Sequence, residues 1–168
     1  YARVRSFLMR HLSQTWSRWQ ELAMGIDHEH YRKLERMYAA APVNVFFEPT
    51  LVVDKAKAEV HIEVRQEFFH SAGAMHGVVY FKALDDSTFF AAQSVVAEYF
   101  VLTAHFELDL LKPVSGGSVV AKAIVTEQSG RRVWAEAELW NDAGHCVAKG
   151  KGVFVMSDQK LRPEIHYR

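Results

Sequence analysis

A single cysteine, Cys146, is too few for an internal disulfide framework or for a zinc or iron–sulfur site built on several thiolates, and it fits a reducing compartment. Net charge is missing as well. Twenty Lys and Arg balance twenty Asp and Glu, so no global basic field exists to hold a nucleic acid backbone, and nucleic acid is not expected as a partner. No uncharged apolar run approaches the ~20 residues that span a bilayer. The chain starts Tyr1-Ala2-Arg3, with neither a signal-peptide apolar core nor an initiator Met, so a soluble, cytoplasmic protein is expected. Four prolines, nine glycines and no internal repeat exclude collagen-like and low-complexity chains. There is no Gly-x-Gly-x-x-Gly, no P-loop and no Gly-x-Ser-x-Gly, which leaves dinucleotide, NTP and serine-hydrolase chemistry without a starting point. His28, His30, His61, His105, His145 and His166 show no ligand spacing on one rigid element, so no metal is expected.

What the chain does have is apolar bulk: 49% hydrophobic and 12% aromatic residues over 168 positions, enough for one domain that buries roughly 70% of its unfolded surface. Val4, Leu8, Leu12, Trp16, Trp19 and Ala23 fall at helical spacing among Arg3, Arg5, Arg10 and Arg18. That amphipathic stripe is expected to pack on the protein's own core or a partner subunit rather than on a membrane. After Gly25-Ile26-Asp27, a second helix carries Tyr31, Leu34, Met37 and Tyr38 as far as Ala41-Pro42. From Val43 the period changes. Val45-Phe46-Phe47 and Leu51-Val52-Val53, the turn signal Asp54-Lys55, and Ala58, Val60, Ile62 and Val64 in alternation predict a hairpin with one wet face.

A long apolar stretch from Met75 to about Tyr99 reads as a buried central helix, and a four-strand antiparallel meander follows over 103–111, 119–127, 132–140 and 146–156. These elements predict an α+β domain at 43–156 whose antiparallel sheet wraps the central helix. A helical extension at 1–42 and a polar, frayed tail at 157–168 complete the expected organisation. Cys146 falls in a strand pattern and reads as a buried, inert thiol.

The helix carries two adjacent carboxylates that its own geometry separates. At 100° per residue, Asp85 shares a sector with Val78, Phe81, Phe89, Ala92 and Val96, whereas Asp86 shares one with Lys82 and Gln93. Asp86 is therefore expected in an ordinary solvated ion pair with Lys82. Asp85 points into a dry surface, where an ionised carboxylate costs several kcal/mol unless something compensates, so it is either used or satisfied by a network or a subunit interface. Upstream, the segment from His70 through Gly73 to His76-Gly77 puts unpaired N–H groups and the positive end of the helix dipole at the helix start, a plausible oxyanion site.

His76-Gly77, followed by an apolar helix with Asp85 nine residues after His76, resembles the His-Gly-Gly…Asp helix of the hotdog-fold acyl-CoA thioesterases, specifically the phenylacetate-degradation type. Thr103 through Lys112-Pro113, Gly116-Gly117, Gly130-Arg131-Arg132 and Asp142-Ala143-Gly144 resemble that family's later strands and turns, so the likeness covers about residues 43–156. The resemblance implies a hotdog fold and hydrolysis of an acyl-CoA or similar thioester, with coenzyme A as part of the substrate and no separate cofactor. It implies Asp85 as nucleophile or general base, Gly77 N–H polarising the carbonyl, His76 supporting the loop and Thr103 helping to place water. Val78, Phe81 and Phe89 would line the substrate site. A homodimer or homotetramer is implied, because the family holds the substrate between one subunit's Asp85 and Thr103 and another's Gly77 loop. Two positions depart from the pattern: Val78 replaces the second glycine, and His70 stands where many members have Asn, which makes activity sensitive to pH near neutrality. A protein of the same fold that binds acyl ligands without turnover is the alternative.

Overall fold

Alternation of apolar and polar residues at period two builds most of this protein. The computed structural model describes residues 28–168. The expected helix with Trp16 and Trp19 lies outside them. In chain order the elements are a helical segment over 28–39 (α1), a helical turn Asn44–Phe47 (α2), strands Thr50–Asp54 (β1) and Lys57–Glu63 (β2), and the 18-residue helix Gly77–Ser94 (α3). Strands Tyr99–Leu110 (β3), Ser118–Ser129 (β4), Arg132–Asn141 (β5) and Cys146–Lys160 (β6) follow. The fold is the α+β hotdog arrangement expected from the sequence: one six-stranded antiparallel sheet curled around α3.

The sheet order is β1-β2-β4-β5-β6-β3, every neighbour antiparallel. This corrects the four-strand meander. Only β4, β5 and β6 are joined in that way; β3 crosses to the far edge beside β6, and β2 takes the place next to β4. Seven residues from Leu111 to Gly117 separate β3 from β4, enough for a crossing, where two-residue turns would have forced them to pair.

The helix can lie close to the sheet because the strands are small beneath it. Register places Ala58, Ala123, Ala137 and Gly150 side by side across four strands, with Val60, Ala121, Leu139 and Ala148 in the next row. Against these rows α3 buries Ala83, Leu84, Ser87 and Ala91 completely. The hydroxyls of Ser87 and Thr88 turn back onto the Leu84 carbonyl at 3.0 and 2.8 Å, so they enter the dry layer without an unpaired donor.

Gln93, expected on a wet stripe, is fully buried. Its amide donates to the Val96 and Tyr99 carbonyls at 2.7 and 2.9 Å and accepts from Val101 N–H at 2.9 Å, splicing the end of α3 to the start of β3.

Three other stretches differ from expectation. Val45-Phe46-Phe47 forms a helical turn instead of a strand. Asn44 anchors it by donating to the Tyr38 carbonyl at 2.7 Å, and Phe47 packs on Phe68 at 5.5 Å. The helix over 28–39 is part of the main core, with Tyr31, Leu34, Met37 and Tyr38 all buried. It also closes one sheet edge: Glu35 accepts from the Val53 N–H of β1 at 2.8 Å, Arg32 donates to the Val53 carbonyl at 3.0 Å, and the two side chains pair at 2.7 Å. The tail is ordered, because Leu161, Ile165 and Tyr167 pack against the core from within an otherwise polar run. Tyr167 O–H lies 2.7 Å from Nδ1 of buried His30, whose Nε2 is 3.0 Å from the Gln93 carbonyl. A carbonyl only accepts, so Nε2 carries the proton and Nδ1 receives the tyrosine's.

Candidate active site

β3 runs antiparallel to α3 along the sheet edge that no other described strand pairs with, and the two meet residue by residue. A Cβ on Gly77 would sit 3.7 Å from the Leu110 side chain. Phe81 meets Phe106 edge to face at 5.2 Å, Asp85 meets Thr103, and Phe89 meets Phe100 at 5.3 Å. One polar pair therefore sits between two aromatic pairs. A bulge makes this possible: Thr103 pairs with Phe154 and His105 with Val153, leaving Ala104 as the extra residue. Val101 and Thr103 before the bulge face the helix, and after it Phe106, Leu108 and Leu110 do; a second register shift, between Tyr99 and Val101, lies beside the Phe100–Phe89 contact. Without that change of phase, Thr103 and Phe106 would point to opposite faces of the sheet.

Thr103 Oγ1 donates to Asp85 Oδ1 at 3.1 Å. Burial pushes the Asp85 carboxyl up to about 6; the Thr103 hydrogen bond pulls against that, Asp86 adds to it and Lys82 opposes it. A carboxylate so placed is ionised at neutral pH and more basic than an exposed one.

Asp86 pairs with Lys82 as expected, but the pair is not solvated. The two side chains are 17% and 11% exposed. The Tyr38 hydroxyl of α1 donates to Asp86 Oδ2 at 2.6 Å, and Lys82 Nζ lies over the rings of Tyr38 and Phe47 at 5.1 and 5.6 Å. The helices preceding β1 cover this side of α3. Burial raises the Asp86 carboxyl, against the pull of Lys82 and Tyr38, and burial likewise raises the Tyr38 hydroxyl.

At the other end of α3, His76 is the N-cap: its Nδ1 accepts from Val78 N–H at 3.1 Å and its carbonyl from Val79 N–H at 2.9 Å. Gly77 contributes the first free amide of the helix. His70 Nδ1 accepts from Ala72 N–H at 3.1 Å, and its carbonyl takes the N–H of Gly73, which turns the loop at φ +81°. Both histidines thus shape the backbone around Gly77. Val78 and Phe81 are 51% and 40% exposed, while Phe89 is half-buried. A cleft of about 280 Å³ beside Gly77 is lined by His70, Met75, Tyr80, Leu110 and Lys112.

The predicted site residues therefore form two groups. Asp85, Thr103, Phe81 and Phe89 meet on the seam; His70, His76, Gly77 and Val78 cluster at the helix start. Gly77 lies eight residues before Asp85, about 12 Å along the axis. The sequence reading missed Phe106, hidden by the bulge, and Tyr38, whose place on the apolar stripe of α1 was the available signal. Among the described residues no group of three His, Cys, Asp or Glu side chains could hold a metal ion, and no helix is long and apolar enough to cross a membrane.

The family model described as the thioesterase superfamily matches residues 72–148, the stretch that holds the Gly77 loop, α3 and strands β3 to β5. The chain has the hotdog fold, and its residues 72–148 match the thioesterase superfamily. Among solved structures, this hotdog chain is similar to the E. coli PaaI protein from the phenylacetic acid degradation operon, with a TM-score of 0.74 and 19% identity over 80% of this chain and 98% of that one. It is also similar to a conserved protein of Pseudomonas aeruginosa (TM-score 0.67, 23% identity, covering 73% and 98%). A mutant of the phenylacetic acid degradation protein PaaI of Thermus thermophilus superposes with a TM-score of 0.64 at 20% identity, covering 70% and 100%. No curated protein matches the hotdog chain by sequence.

Proposed function

We propose that the protein hydrolyses an acyl-CoA or a similar acyl thioester to the free acid and the thiol, with Asp85 as nucleophile or general base. The observation that carries this reading is the setting of Asp85: a half-buried carboxylate, raised to about 6, held by Thr103 between two aromatic pairs on a seam that reaches solvent. As base, Asp85 takes a proton from a water positioned with Thr103, and the oxygen adds to the thioester carbon. The tetrahedral oxyanion collapses by expelling the thiolate, which regains the proton from Asp85. As nucleophile, Asp85 attacks the thioester carbon and expels the thiolate, leaving a mixed acyl anhydride that water hydrolyses to the free acid and the regenerated carboxylate, the water's proton going to the thiolate. Either route needs a donor for the oxyanion, and one backbone N–H is worth about 2.7–4 kcal/mol where measured.

Gly77 N–H suits that role, but not in the chain that supplies Asp85. A thioester carbonyl reaches groups ~3 Å away, and these two are about 12 Å apart. A second copy resolves the mismatch. Among the described residues no strand pairs with the outer edge of β3, where Leu102 and Leu110 are each 54% exposed, while Arg32 and Glu35 occupy the edge at β1. Antiparallel pairing of two β3 strands about residues 106–107 sets Thr103 of one copy opposite Leu110 of the other, and with it Asp85 opposite the second copy's Gly77. The functional unit is thus a homodimer or a tetramer of such dimers.

Steady-state hydrolysis of a panel of acyl-CoAs, followed by thiol release, tests this reading. Turnover of at least one thioester that is lost in Asp85→Asn supports it. Tight acyl-CoA binding without turnover would replace it with acyl-ligand binding, which the half-exposed Val78 beside Gly77 would favour by narrowing the carbonyl's approach.

A further inference from the structure

We propose that Phe106 sets the length of the acyl chain the site accepts, an inference that rests on the acyl-thioester reading above. On β6, Gly150 and Gly152 face α3 without side chains. A Cβ on Gly150 would fall 2.6 Å from Phe106 Cζ and 3.2 Å from Leu84 Cβ. One on Gly152 would fall 3.2 Å from Phe106 Cδ2 and 2.5 Å from the Phe154 ring. The Phe106 ring therefore lies across a bare glycine floor and under α3, in space that a side chain from β6 itself would otherwise fill. It reaches there from the edge strand, so it can be shortened without disturbing the strands below.

The two aromatic pairs beside Asp85 are not equivalent. Phe89 meets Phe100 at 5.3 Å, Phe90 at 5.1 Å and Phe154 at 6.0 Å, a cluster locked into the core at the C-terminal end of α3. Phe106 meets Phe81 at 5.2 Å, and Phe81 is 40% exposed. An acyl group whose carbonyl sits at Asp85 thus finds a closed wall on one side and, on the other, a half-open rim whose floor is the Phe106 ring. A chain that reaches the ring stops; without the ring it continues over Gly150 and Gly152 along Leu84. The chemistry of this space is hydrocarbon throughout, so it selects by length and not by polarity.

The test compares wild type with Phe106→Ala, Phe106→Leu and Phe106→Trp on straight-chain acyl-CoAs from two to sixteen carbons. The same series as non-hydrolysable acyl thioethers is measured for binding. We expect wild-type kcat/KM to fall sharply beyond a short optimum, and Phe106→Ala to raise the ratio of long-chain to short-chain kcat/KM by about tenfold or more, the scale of one or two methylenes in an apolar pocket. Phe106→Leu should lie between, and Phe106→Trp should shorten the optimum, so the series decides even where one variant fails to fold. Hydrolysis with an optimum that none of the folded variants moves overturns the inference and leaves the hydrolase reading intact. Thioether binding whose length limit moves with residue 106, without hydrolysis by wild type, overturns the hydrolase reading and keeps the inference. Neither hydrolysis nor thioether binding overturns both.

Discussion

Thr103 and Asp85, 18 residues apart, are joined by a hydroxyl-to-carboxylate hydrogen bond of 3.1 Å, and the bulge at Ala104 lets Phe106 share the helix-facing side with Thr103. The bond holds the carboxylate oriented on a seam that reaches solvent and opposes part of the burial that raises it. Substitution separates this pair from its neighbours.

Asp85→Asn should lower turnover of any hydrolysed thioester by 10²-fold or more, the general-base scale. It also removes a charge that burial disfavours, so its melting temperature at pH 7 should equal or exceed the wild type's. Asp86→Asn should do the reverse: turnover changed less than about threefold, but stability lowered by about 3 kcal/mol, since Lys82 and Tyr38 lose their partner in a covered place. A turnover loss confined to Asp86→Asn would refute the assignment.

Rate and stability should respond to pH in opposite senses. The folded Asp85 carboxyl lies near 6 and an unfolded one near 3.8, so the folded state binds the extra proton between those values. Its contribution to stability is present below about pH 4 and is lost as pH rises through 6, on the order of 3 kcal/mol. The rate needs the ionised form and should rise over the same interval, with a midpoint near 6 in kcat/KM. A profile flat from pH 5 to 8 would count against Asp85 as base or nucleophile.

Thr103→Val keeps the shape of the side chain and deletes the hydrogen bond. Because that bond lowers the Asp85 carboxyl, its loss should move the rate midpoint upward, with activity partly recovered above neutrality. Thr103→Ser should restore the wild-type midpoint. A merely structural role for the hydroxyl predicts a lower melting temperature and no shift of the profile.

Wild-type protein should sediment as a dimer or larger at micromolar concentration. A charge in the exposed β3 edge, Leu102→Glu, should yield monomers that lack thioester turnover, since each would have Asp85 without a second Gly77 in reach. A fully active monomer would refute the shared site.

Deleting residues 161–168 should lower the melting temperature, because Leu161, Ile165 and Tyr167 leave the core and His30 loses its tyrosine. The tail's polar composition concealed this; three apolar residues in eight are enough when a groove already exists for them. Local period was a good guide wherever an element's own pattern decides its structure, as in the β1–β2 hairpin, α3, and the separation of Asp85 from Asp86 on the helical wheel. It was silent on what depends on distant residues. Which strand β3 would join is settled by pairing across the sheet, and nothing within 99–110 encodes it. Asp86 and Gln93 look solvated on an isolated helix, and they become buried because α1 lies over one and the start of β3 closes around the other. The Ala104 bulge hid Phe106 for the same reason, since a one-residue slip is invisible to a period-two reading.

Among the described residues, the Arg32–Glu35 clamp on Val53 caps one edge of the sheet and leaves the β3 edge open. A chain with two open edges can add copies without limit, whereas a chain with one can add a single copy and then presents capped edges at both ends. In the proposed pair, two open edges consume each other and two clamps face outward. Growth by strand addition therefore terminates at two, and the side chains that end it, Arg32 and Glu35, are not those that hold Asp85, so the protein's tendency to form fibres can change through residues outside its site.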